Sequence, residues 1–179
     1  MEEGERAREH FSPEEVKAAA EKFLEYVGYE LQELSNIGFV TPDIRARRQT
    51  DKRPFEIIGL VLEDLQLENL EQALDGLAKL AAAKKNLGEQ ADYVLIFPPV
   101  SEFVMIEFLT FEKGKWYFEI KDEQFIIWLC NPARDTVTCL VGFPQDNSFA
   151  DYFANLGKMN FDMFIGMRLS RELLAEEEF

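Results

Sequence analysis

The stretch from Pro42 to Leu87 decides the fold and reads PDIRARRQTDKRPFEIIGLVLEDLQLENLEQALDGLAKLAAAKKNL. Its opening residues, Pro42–Arg48, alternate polar and apolar side chains, which is typical of a strand. A charged turn, QTDKR, separates them from Phe55–Glu63, which is apolar on both faces, as a central strand should be. Leucine and alanine then recur at helical spacing from Leu67 to Leu87. The stretch therefore predicts a strand, a turn, a second strand and a long helix.

The segments on either side extend this architecture. On the amino-terminal side, Ser12-Pro13-Glu14-Glu15 has the pattern of a capping box and predicts a helix that ends near Gly28. Tyr29–Leu34 follows as a short edge strand. On the other side, Ala91–Val100 predicts a buried strand. Because a long helix separates Ala91–Val100 from Phe55–Glu63, these two strands are predicted to be parallel.

Beyond Ser101 the pattern predicts short antiparallel strands joined by tight turns. The four predicted strands are Phe103–Phe111, Lys115–Ile120, Gln124–Cys130 and Thr136–Phe143. A short helix capped by Asn147 or Ser148 is predicted to reach Leu156, and the amphipathic segment after Gly157 is expected to dock as a helix or a strand. The predicted fold class is α/β, with a mixed sheet flanked by helices, an added antiparallel sheet and α+β character in the C-terminal half.

The 179 residues are predicted to form one domain, since no linker or repeat interrupts them. Residues 12–100 would form the α/β core, and residues 101–179 the antiparallel strands and an aromatic C-terminal segment. Residues 1–10 and 175–179 are expected to fray. No apolar run approaches the roughly 20 residues that span a bilayer, and the N-terminus lacks the apolar region of a signal peptide. We therefore expect a cytoplasmic protein.

The composition excludes several kinds of site. The chain has two cysteines, Cys130 and Cys139, and one histidine, His10. These are too few for a Cys/His metal site, or for a catalytic triad that does not use His10. The cysteines flank a predicted hairpin turn in which Cys130 faces Thr136 or Val137, so their sulfur atoms are out of register. Both are expected to be free thiols, and no cofactor is expected.

The net charge of −15, from 19 basic and 34 acidic residues, disfavours contact with duplex DNA over most of the surface. Five basic residues nevertheless lie close together against the single Asp51: Arg45, Arg47, Arg48, Lys52 and Arg53. This basic cluster is either a solvated hairpin loop that pairs with surplus acids or a patch that contacts the phosphates of a nucleic acid.

Pro42-Asp43 opens one predicted strand, and Glu56 lies in the next. Together with the order of helices and strands over roughly residues 12–100, this resembles the PD-(D/E)xK, or restriction-endonuclease-like, superfamily. The resemblance implies a restriction-endonuclease-like core in which Asp43 and Glu56 hold Mg²⁺. It also implies a lysine two positions after the second acid, which orients the attacking water. Carboxylates suit this hard cation, and the metal stabilises charge on the phosphate.

This chain departs from the family pattern at the lysine position, where Ile58 stands. It therefore resembles a degenerate member, and Lys79 on the long helix is the candidate for a displaced lysine. The leading hypothesis is a non-catalytic interaction or regulatory protein that binds another protein or forms a homodimer. Asp43 and Glu56 are then ordinary acids at a turn and a strand end. The alternative is a Mg²⁺-dependent nuclease that uses Asp43, Glu56 and Lys79.

The aromatic C-terminal segment is the candidate interaction surface. Its phenylalanines belong either to the core or to an exposed patch that pairs two subunits or receives a partner. The candidates are Phe149, Phe153, Phe161 and Phe164. Three methionines recur every four residues at positions 159, 163 and 167. That spacing fits an adaptable contact face on a helix as well as a core stripe.

Overall fold

The hairpin at the start of the decisive stretch forms as predicted. In the computed structural model, which describes residues 10–154 and 161–177, strands β2 (Ile44–Gln49) and β3 (Pro54–Val61) pair antiparallel, with Ile44 opposite Gly59. The turn between them is closed by Thr50, whose hydroxyl accepts hydrogen bonds from the N–H groups of Lys52 and Arg53. This turn sets the register of the whole hairpin.

The first helix and the edge strand also confirm the prediction. Helix α1 (Pro13–Val27) begins at a capping box, because Ser12 and Glu15 each accept a hydrogen bond from the other's backbone N–H. It ends at Gly28, whose φ of 114° is a conformation that glycine adopts at low cost. Strand β1 (Glu30–Leu31) pairs only with β2 and lies at the edge of the sheet.

The crossover after β3 has the predicted form. A short 3₁₀ turn (Leu67–Asn69) leads into helix α2 (Glu71–Leu87), and strand β4 (Ala91–Phe97) then pairs parallel with β3. The helix therefore begins one turn later than predicted. All seven residues of β4 are buried, as expected for a central strand covered on both faces.

The structure contradicts the prediction of strands at Phe103–Phe111 and Lys115–Ile120. Both segments belong to helix α3 (Glu102–Glu123), which begins where the Ser101 hydroxyl accepts a hydrogen bond from the Val104 N–H. The helix is broken at residues 111–114, three of which have positive φ. The many aromatic and branched side chains favoured a strand, but their burial follows helical spacing: the buried residues are Met105, Phe108, Leu109, Tyr117 and Ile120.

The other two C-terminal strands form, but they extend the same sheet. Strand β5 (Ile126–Asn131) is parallel to β4, and β6 (Thr136–Val141) is antiparallel to β5. The sheet therefore has six strands in the order β1-β2-β3-β4-β5-β6. Asp146, not Asn147 or Ser148, caps a 3₁₀ turn (Asn147–Asp151), and the predicted end of that helix at Leu156 lies outside the described residues. Helix α4 (Phe161–Glu177) is the final element.

Helices cover both faces of the sheet. On one face α1 packs with Phe149 and Phe153, which lie in and just after the 3₁₀ turn Asn147–Asp151. On the other face lie α2, α3 and α4. The predicted α/β class with a mixed sheet flanked by helices is confirmed. Cys130 pairs with Val137 across the β5–β6 hairpin, and both cysteines are free thiols, as predicted. None of the described helices combines the length and apolar character needed to cross a bilayer.

Candidate functional site

Asp43, the first acid of the predicted metal site, takes part in the β2–β3 hairpin. Its backbone N–H donates to the carbonyl of Gly59 at 3.0 Å, and its carboxylate accepts a hydrogen bond from the Val61 N–H at 2.8 Å. The side chain thus adds one hydrogen bond to the β2–β3 ladder, just beyond Ile44, the first residue of β2. This is a structural use of the carboxylate, since it satisfies a backbone donor at the end of β3.

Glu56, the second acid, lies at the opposite end of β3. It faces Arg47 across the ladder, and one of its oxygens is 3.0 Å from both the Nε and a terminal nitrogen of Arg45. By the same register, position 43 lies opposite Leu60. Glu56 and Leu60 are four positions apart on β3, which corresponds to about 13 Å along the strand. Asp43 and Glu56 are therefore too far apart to share a metal ion.

Lys79, the proposed displaced lysine, also lies away from these acids. It is exposed on α2 and pairs with Asp75, one turn earlier, at 3.2 Å. Ile58, at the family's lysine position, is fully buried in the core. Within residues 10–154 and 161–177, no three His, Cys, Asp or Glu side chains are grouped so that they could hold a metal ion. The structure does not bring the predicted catalytic residues together.

Most of the basic cluster is used in contacts within the fold. Arg45 pairs with Glu56, as described above. Arg48 donates to Asp146 at 2.7 Å and to the Ser148 hydroxyl at 2.8 Å. Arg53 donates to Gln145 and places its guanidinium 4.5 Å from the centre of the Phe55 ring. The predicted nucleic-acid contacts of this cluster accordingly reduce to its two exposed members, Arg47 and Lys52.

Asp146 is the centre of a buried polar network that the sequence reading missed. The carboxylate accepts hydrogen bonds from the Tyr29 hydroxyl at 2.9 Å, from the Ser148 N–H at 3.0 Å and from Arg48. Burial alone would raise the pKa of Asp146, but the hydrogen bonds from Arg48, Ser148 and Tyr29 hold it below its ordinary value. Burial and the neighbouring carboxylate raise the pKa of Tyr29, which stays protonated. The network joins the segment that follows α1, strand β2 and the 3₁₀ turn at Asn147–Asp151.

Asp92, at the start of β4, is a second buried acid that the sequence reading missed. Only 6% of its surface is exposed, and it accepts hydrogen bonds from the backbone N–H and the side-chain amide of Gln145 at 2.9 and 3.2 Å. Burial raises the pKa of Asp92 to about 6, although Gln145 and the charge of Arg53 oppose the shift. An acid inside the otherwise apolar strand ADYVLIF was the available signal.

Asp92 borders a cavity of about 340 Å³ at the end of the sheet where β4 begins. Lys84 reaches into its wall and donates to the Glu123 carbonyl at 2.6 Å, with the Glu123 carboxylate at 3.4 Å. Lys121 pairs with Asp162 of α4 at 2.6 Å, and the Tyr117 hydroxyl also donates to that carboxylate. Because both lysines already have anionic partners, the cavity lacks the unpaired positive charge that an anionic ligand would require.

Two of the four phenylalanines predicted as an interaction surface lie in the core, which corrects that prediction. Phe149 and Phe153 are buried at 0% and 6% exposure and pack against Trp128 and Phe23. Their rings complete the α1 face of the sheet and cannot contact a partner. The other two, at positions 161 and 164, are half-buried against the opposite core.

The exposed apolar side chains of the C-terminal segment are instead on the outer face of α4. Met163, Met167 and Leu174 are 59%, 46% and 61% exposed. The first two are methionines of the predicted series, which favours its contact-face interpretation; position 159 lies outside the described residues. A groove of about 650 Å³ runs beside the two methionines, with Tyr117 and Lys121 of α3 forming its other wall.

Comparisons with known proteins place two solved structures near this fold. An XisH family protein from Nostoc punctiforme PCC 73102 superposes with a TM-score of 0.47 at 13% identity, covering 69% of this chain and 95% of that one. An fdxN element excision controlling factor protein from Anabaena variabilis gives a TM-score of 0.45 at 12% identity, with the same coverage. Similarity at this level assigns no function. No protein-family model and no characterised protein matches the chain.

The geometry therefore offers two different kinds of site. At the hairpin, both acids of the predicted metal site, Asp43 and Glu56, are engaged in contacts that hold the fold together. On α4, a row of apolar side chains is left without a partner among the described residues beside an open groove. An arrangement of this second kind can bind a protein surface through apolar contact.

Proposed function

We propose that this chain is a non-catalytic interaction or regulatory protein built on a degenerate PD-(D/E)xK-like core, acting as one domain in the cytoplasm. The observation that carries the proposal is the separation of Asp43 and Glu56. Each carboxylate has its own partner, the Val61 N–H for Asp43 and the Arg45 guanidinium for Glu56. Two acids committed in this way at opposite ends of β3 suit a scaffold better than a cleavage site.

The magnitude of the separation supports the non-catalytic alternative. Oxygen ligands lie about 2.0–2.1 Å from Mg²⁺, so two carboxylates that share one ion bring their oxygens within about 4 Å of each other. The register instead separates the acids by about 13 Å of strand. That figure is a separation along the backbone, and both carboxylates would have to leave the partners that now hold them in order to meet at one ion.

The exposed face of α4 supports a role in binding. Met163 and Met167 present flexible, polarisable side chains at the mouth of the groove, a type of surface that adapts to a protein partner. The net charge of −15 disfavours a nucleic acid as the main partner, and Arg47 and Lys52 are the two members of the basic cluster that are exposed. The proposed partner class is therefore protein, either a different protein or a second copy of this one.

The experiment that tests the proposal is calorimetric titration of Mg²⁺ and of Mn²⁺ into the full-length protein, alongside incubation with duplex and single-stranded DNA. We expect no saturable binding and no cleavage. Asp43→Asn and Glu56→Gln are the matched variants, because each retains an oxygen that can accept the native hydrogen bond and so preserves the fold. Metal binding that disappears in both variants, together with cleavage lost in Lys79→Ala, would overturn the proposal in favour of the nuclease alternative.

A further inference from the structure

The first half of helix α3 presents two exposed phenylalanines with a glutamate between them. Phe103 and Phe111 are 62% and 48% exposed, and Glu107 is exposed as well. The three side chains, which we call the α3 stripe, follow one another at intervals of four residues. This spacing places them on one side of the helix, with about 6 Å of rise from each to the next. The opposite side of the same turns is buried in the core, so the helix cannot rotate to cover either ring.

The α3 stripe ends at the break in the helix. Phe111 has an extended ψ of 138°, and the next two residues, Glu112 and Lys113, have φ values of 46° and 62°. Residues other than glycine adopt this left-handed region at a cost in energy. Gly114 anchors the break, because it lies directly against Leu169 of α4. The break therefore fixes the end of the stripe in position.

The charge along the α3 stripe is negative throughout. Residues 102–112 contain three glutamates, at positions 102, 107 and 112, and no basic residue. All three are exposed, and none of them forms an ion pair with any residue that the structure describes. The net charge of −15 adds to this local field. The stripe therefore repels acidic partners and attracts basic ones.

Two other exposed apolar surfaces of the protein carry mixed charge. On α4, Arg171 and Lys121 line the groove beside the methionines. On α1, Tyr26 lies beside Lys22, and its ring packs edge-on against Tyr152. The charges on those two surfaces do not select one kind of partner. Those along the α3 stripe select a cation.

We propose that the α3 stripe binds an arginine presented by a basic segment of another protein. This assignment rests on the proposed function, since it names the chemistry of the partner. A guanidinium is planar, so it can stack on a phenylalanine ring while its N–H groups donate to the Glu107 carboxylate. The chain already contains such a stack, because the Arg53 guanidinium lies 4.5 Å from the centre of the Phe55 ring. Lysine fits less well, because its ammonium has no flat face and is more strongly hydrated.

The expected strength of binding follows from the exposure of the stripe. One exposed ion pair or cation–π contact changes an affinity by up to about fivefold. Binding should weaken as salt is raised, because the screening length falls from about 10 Å at 0.1 M to about 3 Å at 1 M.

The first test is an NMR titration of the full-length, nitrogen-15-labelled protein with acetylated and amidated hexaarginine. We expect saturable shifts of the amide signals of the α3 stripe. Hexacitrulline retains the planar group without the charge and should shift none of them, and hexalysine should bind more weakly than hexaarginine. Equal binding of either control peptide, or saturable shifts only outside α3, would overturn the proposal. So would shifts of the stripe on dilution of the protein alone, which would assign this surface to a second copy.

The second test separates the stripe from the overall charge. Phe103→Ala and Glu107→Gln should each weaken hexaarginine binding by about fivefold. The matched control for the double variant is Glu25→Gln with Tyr26→Ala, which makes the same change in charge and also removes an exposed ring, but on the other face of the sheet. The control should change the affinity by less than about twofold.

Equal losses in the two double variants would show that net charge alone binds the peptide, and the proposal would be wrong. The outcome is independent of the metal and cleavage assays. A protein that neither binds metal nor cleaves DNA, and whose α3 stripe ignores hexaarginine, would lose this inference and keep the proposed function.

Discussion

Asp92 gives the protein a specific dependence of stability on pH. Burial raises the pKa of this carboxyl from 3.8 to about 6 in the folded state. The folded protein therefore binds this proton more tightly than the unfolded chain does. The stabilisation from the protonated form is fully present below pH 3.8 and is lost as the pH rises through about 6. At neutral pH the charged, buried carboxylate lowers the free energy of unfolding.

The perturbation that isolates this effect is Asp92→Asn. A shift of about two pKa units corresponds to about 3 kcal/mol, at 1.36 kcal/mol per unit. Asparagine removes that cost but retains only one acceptor oxygen for the two hydrogen bonds from Gln145, which loses about 1 kcal/mol. The variant should therefore be about 2 kcal/mol more stable than the wild type near pH 7.5. Near pH 4 it should be about 0.5 kcal/mol less stable, because the carboxyl of the unfolded chain is already about half ionised there.

The assay is urea denaturation of both proteins at a series of pH values, comparing their free energies of unfolding. Taking the difference cancels the titration of the acids that the two proteins share. Asp75→Asn is the control, because Asp75 is exposed and pairs with Lys79 one turn away on α2. Its difference from the wild type should stay within about 0.5 kcal/mol throughout. If the difference for Asp92→Asn keeps one value from pH 4 to 7.5, the argument from burial is wrong.

Two more predictions concern contacts between distant segments. Arg48→Met should lower the free energy of unfolding by about 2–3 kcal/mol, because it leaves the buried Asp146 carboxylate without its cation. The control Lys22→Met, in an exposed ion pair, should cost less than about 1 kcal/mol in the same denaturation assay; equal losses would contradict this reading. Gly114→Ala should cost about 1–3 kcal/mol more than Gly28→Ala. Both glycines have positive φ, but only at Gly114 would a Cβ lie 2.5 Å from Leu169. Equal costs would show that α4 yields to the added methyl group.

The parts of the fold that local signals determine could be predicted from the sequence. The capping box at Ser12, the stop at Gly28 and the β3–α2–β4 crossover each depend on a few neighbouring residues or on one clear periodicity. Helix α3 could not be identified in this way, because its aromatic residues favour strands and the glycine at its break resembles a hairpin turn. Packing against β4 and β5 decides in favour of a helix. The parallel pairing of those two strands also requires a long crossover between them.

Whether Asp43 and Glu56 lie close together depends on the register of the β2–β3 hairpin, which the motif itself does not specify. An Asp and a Glu thirteen positions apart would face each other only in a hairpin whose turn is centred midway between them, near residues 49 and 50. The turn in this chain is instead centred between Asp51 and Lys52, so the position opposite Asp43 is Leu60. The charged segment QTDKR was visible in the sequence, and counting outward from its central Asp51 would have placed Asp43 opposite Gly59, one residue from the observed position and three from Glu56. A metal site at Asp43 would need an acid where Leu60 or Val61 stands. This chain therefore departs from the pattern that it resembles in the position of the second carboxylate as well as at Ile58, where that pattern has a lysine.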